Sequence, residues 1–286
     1  MRFGPTTALE VDPLKTPKSH VRHVPFARWL IAVALSLSSV ATDGTSVLAT
    51  GGAPSRTEGA AQGAATAARH GSPTPPDGPG AIYKVENHTK ALALTFDISW
   101  GEKAPGPILD ILHQKNVTKA TFFLSGPWVA HHQDIAKRIK AMGFEIGSHG
   151  YAHKNYSEQG DSWIRSQVDK ADRAIRDTLD VKARLIRTPN GDFDKRVLTT
   201  LHRMGYTVIQ WNTDSLDWMN PGVENIKQRV LTRAVPGDII LMHASDSCKQ
   251  THLALPAIID GLRTKGFHFA TVSELIAGAT VKTSVE

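Results

Sequence analysis

The sequence predicts an α/β fold in which parallel strands alternate with helices. From Ala81 onward, apolar runs of strand length alternate with amphipathic segments of helix length, and the connections between them are short. Such an alternation implies right-handed crossovers, so the sheet either stays open or closes into a barrel. In both architectures, ligands bind at the carboxyl ends of the strands. Chemically active side chains are therefore expected just after the strands.

Hydrophobic periodicity places the individual elements along the chain. The predicted strands are 91–97, 119–124, 144–148, 184–187, 206–211, 238–242 and 267–271. The predicted helices lie near 105–115, 128–142, 161–179, 193–204, 224–234 and 254–265. In the helix 161–179, the apolar residues recur on one face, and they are Ile164, Val168, Ala171, Ile175 and Leu179.

The N-terminal part of the chain is not predicted to form a domain. Residues 1–28 form a basic leader, and residues 29–49 carry an apolar run typical of a signal peptide or, alternatively, of a membrane anchor. Residues 50–80 are rich in Gly, Ala, Pro and Ser, which predicts a disordered linker. The catalytic domain is predicted over 81–280, followed by a tail at 281–286. This organisation predicts an exported protein with a possible membrane tether.

Composition excludes several classes of protein. With 41% hydrophobic and 21% charged residues, the chain has the composition of a globular protein rather than of a coiled coil. The single cysteine, Cys248, excludes an intramolecular disulfide framework and a multi-cysteine zinc site. The net charge of +6 is mild and not clustered, so no nucleic-acid partner is expected. A positive net charge of this size permits the protein to approach an anionic polymer such as those of a cell wall.

Ionisable residues stand where the strand-end rule expects them. They are Asp97 at the end of the first strand, His149 and His153 after the third, Arg187 at the end of the fourth, Asp214 and Asp217 after the fifth, and His243 after the sixth. Each alone has an ordinary structural explanation, because a carboxylate at a strand end is usually solvated and a strand-end arginine usually pairs on the surface. Their convergence at one end of the sheet predicts a functional site.

The two histidines His149 and His153 are the most specific local signal. Imidazoles four residues apart meet on one face if the segment takes a helical turn, which is the geometry of a paired metal site. The pattern alone is a moderate signal, because the chain contains 13 histidines.

Five motifs, in order, resemble those of the NodB-homology polysaccharide deacetylases, which form carbohydrate esterase family four. They are Thr95-Phe96-Asp97, His149-x-x-x-His153, Arg187-x-Pro189-x-Gly191, Asp214-x-x-Asp217-Trp218 and Leu241-x-His243. The likeness covers about residues 85–277. It implies a distorted (β/α)7 barrel, a divalent metal, usually zinc, and hydrolysis of N-acetyl groups on an amino-sugar polymer, either peptidoglycan or a chitin-like glycan. The runs 95–101 and 243–247 look most like the PdaB-type sporulation deacetylases, which implies a cell-wall or spore-envelope setting.

The resemblance also implies a role for each site residue. By role, they are the metal ligands His149 and His153, the general base Asp97 with its partner Arg187, the general acid His243 with its partner Asp217, and the substrate contacts Trp100, Trp218 and Leu241. An amide is a poor electrophile, so its hydrolysis needs an activated water, a stabilised oxyanion and a protonated leaving amine. A metal would polarise the acetyl carbonyl.

Ile98 departs from the family pattern. The usual first motif has two consecutive aspartates, and the second is a metal ligand, which isoleucine cannot be. Two histidines make a weak site, because catalytic zinc normally has three protein ligands. Water, or an acidic side chain such as Asp214, Glu102 or Asp192, would have to complete the shell. The alternative function is therefore a catalytically weak or inactive glycan-binding wall protein on the same fold.

Overall fold

The computed structural model describes residues 78–86, 89–277 and 280–281. The predicted leader and the predicted signal or anchor segment lie outside these residues, as does nearly all of the predicted linker. Within the residues that are described, no helix combines the length and the apolar character needed to cross a membrane.

Short strands and longer helices alternate along the chain. The strands are β1 (Ala81–Ile82), β2 (Val85–Glu86), β3 (Ala91–Ile98), β4 (Thr121–Leu124), β5 (Glu145–Ser148), β6 (Leu185–Ile186), β7 (Thr207–Ile209), β8 (Thr213–Asp214), β9 (Ile239–His243), β10 (His268–Phe269) and β11 (Thr280–Val281). The helices are α1 (Pro105–Gln114), α2 (Gly126–His131), α3 (Gln133–Ala141), α4 (Asp161–Leu179), α5 (Lys195–Arg203), α6 (Val223–Arg233), α7 (Thr251–Thr264) and α8 (Val272–Ala277). Short 3₁₀ turns cover Pro189–Gly191 and Asp217–Met219.

Parallel strands form a curled sheet in the order β1-β7-β6-β5-β4-β3-β9-β8, and β10 pairs with the start of β3. The strand predicted at 206–211 corresponds to β7, and β8 is a further short strand that the sequence did not predict. The chain changes neighbours between them, because β7 pairs with β1 and β6, and β8 pairs with β9. The predicted distorted (β/α)7 barrel is confirmed.

The central strand β3 separates two apolar layers. Side chains of a strand point alternately to its two faces. Ile98 belongs with Leu92, Leu94 and Phe96 to the cluster beneath the helices. Residues of the other parity face the barrel interior, where Ala93 packs and Asp97 is bonded to Arg187. This alternation directs Asp97 into the barrel and Ile98 away from it.

The helices follow the predicted periodicity with one break. Helix α4 has the predicted bounds, and its five predicted core residues are buried. The helix predicted at 128–142 is instead two helices, α2 and α3, which meet at His132 with the non-helical angles φ −120° and ψ 50°. Helix α2 starts two residues earlier than predicted because Pro127 suits a first turn. The break allows α2 to bury Trp128 against the barrel while α3 buries Ile139.

Candidate active site

A pocket of about 390 Å³ opens at the carboxyl ends of the barrel strands. It is lined by Asp97, Ser99, Trp100, His149, His153, Asn190, Gly191, Trp211, Asp214, Trp218, Leu241, His243, Ser245, Ser247 and Cys248. Its size is within the range of small-ligand sites. The strand-end rule thus located the pocket, since residues that follow six different strands meet in it.

Asp97 and Arg187 form a buried ion pair in the floor of the pocket. Arg187 Nη1 donates to Asp97 Oδ1 at 2.7 Å and to Thr95 Oγ1 at 2.9 Å, and Nη2 donates to the carbonyl of Gln210 at 3.0 Å. The guanidinium carbon also lies 4.2 Å from the centre of the Phe123 ring. Burial alone would raise the pKa of Asp97, but the charge of Arg187 and the nearby imidazoles hold that pKa below its ordinary value. Asp97 is therefore ionised at neutral pH.

His149 presents one free ring nitrogen to this carboxylate. Its Nδ1 donates to the backbone carbonyl of Arg187 at 2.9 Å, and its Nε2 lies 3.9 Å from Asp97 Oδ2. Burial lowers the pKa of His149 to about 4, so the ring is neutral at pH 7. A neutral imidazole oriented through a carbonyl is the usual form of a metal-binding histidine.

His153 lies beside His149 without the helical turn that would pair them on one face. The two rings meet edge to face with their centres 5.4 Å apart. The chain between them passes through Gly150, whose φ of 70° is left-handed. A Cβ at Gly150 would lie 2.3 Å from the hydroxyl of Tyr156, so this turn requires glycine.

The histidine pair does not acquire a third protein ligand from the expected candidates. Ile98 is fully buried in the outer apolar layer. Asp214 accepts the backbone N–H of Leu216 at 2.8 Å. The other two candidates are also engaged elsewhere: Asp192 accepts two bonds from Ser157, and Glu102 lies 3.7 Å from His132.

A different triad, Asp217, His243 and Cys248, can hold a metal ion. The ligand atoms of these three side chains all lie within 4.8 Å of one another. In the described part of the chain, no other group of three such side chains brings its ligand atoms this close together. However, Asp217 already accepts several hydrogen bonds, and burial raises the pKa of Cys248 to about 12. A metal there would have to compete with these bonds and displace the thiol proton. The donor set at His149 therefore fits a catalytic metal better, with water completing the shell.

His243 and Asp217 form a second charged pair at the rim of the pocket. His243 Nδ1 lies 2.7 Å from Asp217 Oδ1, while Asp217 Oδ2 accepts the backbone N–H of His243 at 2.7 Å and the hydroxyl of Thr251 at 2.6 Å. Burial alone would lower the pKa of His243, but the charge and hydrogen bond of Asp217 raise it above its ordinary 6.5. Nδ1 is engaged, so Nε2 is left for a ligand.

The predicted substrate contacts line the same pocket. Trp100 is 47% exposed and Trp218 is 50% exposed, while Leu241 is buried. The indole of Trp100 stands edge-on to His153 with 5.4 Å between ring centres. Apolar surface is thus available on the wall for an acetyl methyl group and at the mouth for a larger ligand.

Sequence reasoning missed several lining residues. They are Ser99, Asn190, Trp211, Ser245, Ser247 and Cys248. Ser245, Ser247 and Cys248 directly follow β9, so the strand-end rule applied to small polar residues would have found them. Trp211 is the last residue of the strand predicted at 206–211, so the same rule applied to aromatic residues would have found it.

Comparison with known proteins identifies the class of this chain. The family model of the polysaccharide deacetylases matches residues 84–209. A peptidoglycan-N-acetylglucosamine deacetylase of Bacillus cereus is 32% identical over 201 residues, which cover 68% of this chain and 92% of that protein. The chain therefore belongs to the polysaccharide deacetylase family, carbohydrate esterase family four.

Two further relatives place the chain within that family. An uncharacterized Bacillus subtilis protein, YlxY, is 34% identical over 198 residues, covering 69% of this chain but only 61% of YlxY. The chain thus spans less than two thirds of that relative. Among solved structures, a family-four pseudoenzyme from Bacillus anthracis is similar, with a TM-score of 0.66, 34% identity and 70% coverage of each chain.

Proposed function

We propose that this protein removes N-acetyl groups from amino-sugar residues of a polysaccharide, with peptidoglycan as the substrate. One observation carries the proposal: a buried carboxylate, Asp97, is ion-paired with Arg187, and an imidazole of the same pocket, His243, is hydrogen-bonded to Asp217, which raises its pKa. Amide hydrolysis requires such a base and such an acid. The name of the Bacillus cereus relative, a peptidoglycan-N-acetylglucosamine deacetylase, supports this choice of substrate.

The hydrogen bonds support a particular atom for each proposed proton transfer. Asp97 Oδ1 is engaged by Arg187, so Oδ2 is the oxygen that takes a proton from the attacking water. His243 Nδ1 is engaged by Asp217, so Nε2 is the nitrogen that donates a proton to the departing sugar amine. The fixed charge of Arg187 keeps Asp97 ionised before the reaction, and Asp217 stabilises the imidazolium until the proton leaves.

The proposal includes a divalent metal, with zinc as the expected ion. His149 and His153 would hold it, and the neutral, oriented ring of His149 supports this assignment. When bound, the metal polarises the acetyl carbonyl and makes water a stronger acid. Leu241 and Trp218 are proposed to enclose the acetyl methyl group.

Two substitutions test this function. Asp97→Asn and His243→Ala should each lower acetate release from an N-acetylglucosamine tetramer at least 100-fold, the size expected for losing a general base or acid. The full chain is assayed with added zinc, and Leu253→Ala, which alters an exposed residue outside the pocket, serves as the control. Rates equal to that control in both variants would refute the assignment.

A second candidate is a glycan-binding wall protein without activity. Ile98 in place of a metal-binding aspartate favours it, as does the similarity to a solved pseudoenzyme of the same family. Glycan binding without acetate release, under a screen of zinc, cobalt, nickel and manganese, would establish this alternative. Acetate release with any one of these metals would exclude it.

We also propose that the protein acts outside the cell membrane, in the cell wall or spore envelope. The apolar run at 29–49 after a basic leader supports export, and the runs 95–101 and 243–247 support the sporulation type. Mass spectrometry of the exported protein tests the first point. A mature start near residue 42 indicates a cleaved signal peptide, and an intact N-terminus indicates a membrane tether.

A further inference from the structure

The loop that follows β3 is held in place by the loop that follows β9. The carboxylate of Asp246 accepts the backbone N–H groups of Glu102, Lys103 and Ala104 at 3.2, 2.8 and 2.8 Å. These groups precede helix α1, whose own N-cap residue provides no side-chain bond. Asp246 thus satisfies donors that helix starts usually leave unpaired, from 142 residues away along the chain.

The close approach of Asp246 to this loop requires a glycine at position 101. Gly101 has a φ of 84°, and a Cβ there would lie only 2.2 Å from the Cγ of Asp246. Its carbonyl accepts the indole N–H of Trp128 at 2.7 Å. The carbonyl of Trp100 accepts the backbone N–H of Asp246 at 3.3 Å. The backbone on both sides of Trp100 is therefore fixed, and the runs 95–101 and 243–247 form one physical unit.

The side chain of Trp100 is exposed on this fixed backbone. Its indole is 47% exposed, lines the pocket and contacts His153 by its edge. In the sheet, β9, which carries His243, lies between β3, which leads to Trp100, and β8, which leads to Trp218. A rigid aromatic ring at the mouth of a polar pocket presents a flat apolar surface to a ligand.

We propose that Trp100 is a stacking surface for a pyranose ring of the glycan, and that Asp246 is the residue that positions it. The apolar C–H face of a pyranose packs on an indole, while its hydroxyl groups remain in water. The proposal rests on the proposed function, because the ligand is the same polysaccharide in the same pocket. It assigns Trp100 to a sugar ring beside the one that loses acetate, so it concerns oligomers rather than single sugars.

Binding and turnover of an N-acetylglucosamine tetramer test the stacking surface. Trp100→Ala should raise the KM and the calorimetric Kd about ten-fold, the size of one lost stacking contact, and should change kcat less than three-fold. Trp100→Phe should recover most of the affinity. The monosaccharide should be bound equally by the wild type and Trp100→Ala. Leu253→Ala, an exposed apolar residue on α7 outside the pocket, is the matched control.

A double-mutant cycle tests the positioning role of Asp246. Asp246→Asn should raise the KM for the tetramer three- to ten-fold without a comparable fall in kcat. If Asp246 acts through Trp100, adding Asp246→Asn to Trp100→Ala should raise the KM no further. If the KM of the double variant instead rises by the product of the two single effects, the positioning role is refuted.

The outcomes separate this inference from the proposed function. Unchanged KM and Kd in Trp100→Ala, with normal acetate release by the wild type, would overturn the stacking surface alone. If the wild type binds the tetramer without releasing acetate, and Trp100→Ala binds ten-fold more weakly, the deacetylase proposal fails and the stacking surface stands. If the wild type does not bind the tetramer, both are refuted.

Discussion

Two buried carboxylates at the candidate active site, Asp97 and Asp217, differ in the partner that each holds. Arg187 beside Asp97 carries a permanent charge, whereas His243 beside Asp217 can gain or lose a proton. Asp97 is therefore kept ionised with one oxygen free, which suits a base. Asp217 has both oxygens engaged and instead raises the pKa of a neighbouring imidazole, which suits an acid's partner. The partner, rather than the carboxylate, determines the chemical role.

The two carboxylates also differ in the part of the fold that holds them in place. Arg187 is fully buried in the barrel and bonds to Thr95 and to the carbonyl of Gln210 as well as to Asp97. Asp217 lies in a 3₁₀ turn after β8, where Thr251 of α7 reaches it. The partner of the proposed base is thus part of the barrel core, and the partner of the proposed acid is part of the loops at the rim.

Removing the permanent charge should have the largest effect. Arg187→Met leaves Asp97 buried without a cation, which should lower the free energy of unfolding by about 3–5 kcal/mol. Urea denaturation measures this loss. The double variant Arg187→Met/Asp97→Asn should recover part of it, because no uncompensated carboxylate remains. Equal stability of Arg187→Met and the wild type would show that the ion pair does not support the core.

Ile98→Asp places a carboxylate where the family has a metal ligand, and it should be destabilising here. The side chain at 98 faces the apolar layer beneath the helices, so the variant should lose at least about 3 kcal/mol of unfolding free energy. Ile98→Val, the matched control, should lose about 1 kcal/mol. Wild-type stability together with tighter zinc binding would instead show that residue 98 can turn into the pocket.

The two threonines that support the carboxylates should have smaller effects. Thr95 donates to the carbonyl of Ile240 and accepts from Arg187, and Thr251 donates to Asp217. Thr95→Val and Thr251→Val should each cost about 1–2 kcal/mol of unfolding free energy, because each leaves buried polar groups unpaired. Thermal unfolding compares them. A variant with an unchanged melting temperature would show that its hydroxyl does not hold the network on that side.

Much of the site followed from one rule about parallel strands. Asp97, His149, Arg187 and His243 were predicted at strand ends. The structure brings Asp97, His149 and His243 to one pocket, and Arg187 is bonded to Asp97 beneath it. Helix α4 was also predicted with its observed bounds, because its apolar face repeats without interruption. Periodicity and strand ends are local features, and so they can be recognised in a single sequence.

Features that depend on two distant segments could not be predicted. The bond from Asp246 to the start of α1 joins residues 142 positions apart, and neither segment indicates the other. The short strand β8, which follows the strand predicted at 206–211, arises from a change of strand neighbours that hydrophobicity does not encode. The direction of the Ile98 side chain could have been predicted from the sequence. Neighbouring residues of a strand point to opposite faces, so Ile98 must face away from the side that Asp97 faces.

The pH dependence of kcat/KM in the wild type and in Asp217→Asn tests the division of roles most directly. The proposed mechanism needs Asp97 ionised and His243 protonated, so activity should rise through the low pKa of Asp97 and fall through the raised pKa of His243. Without the charge of Asp217, burial lowers the pKa of His243. We predict that kcat/KM of Asp217→Asn falls on the alkaline side at a pH at least about one unit lower than in the wild type. The rise of kcat/KM on the acid side should occur at the same pH in both proteins. An unchanged alkaline limb would contradict the assignment of His243 as the acid.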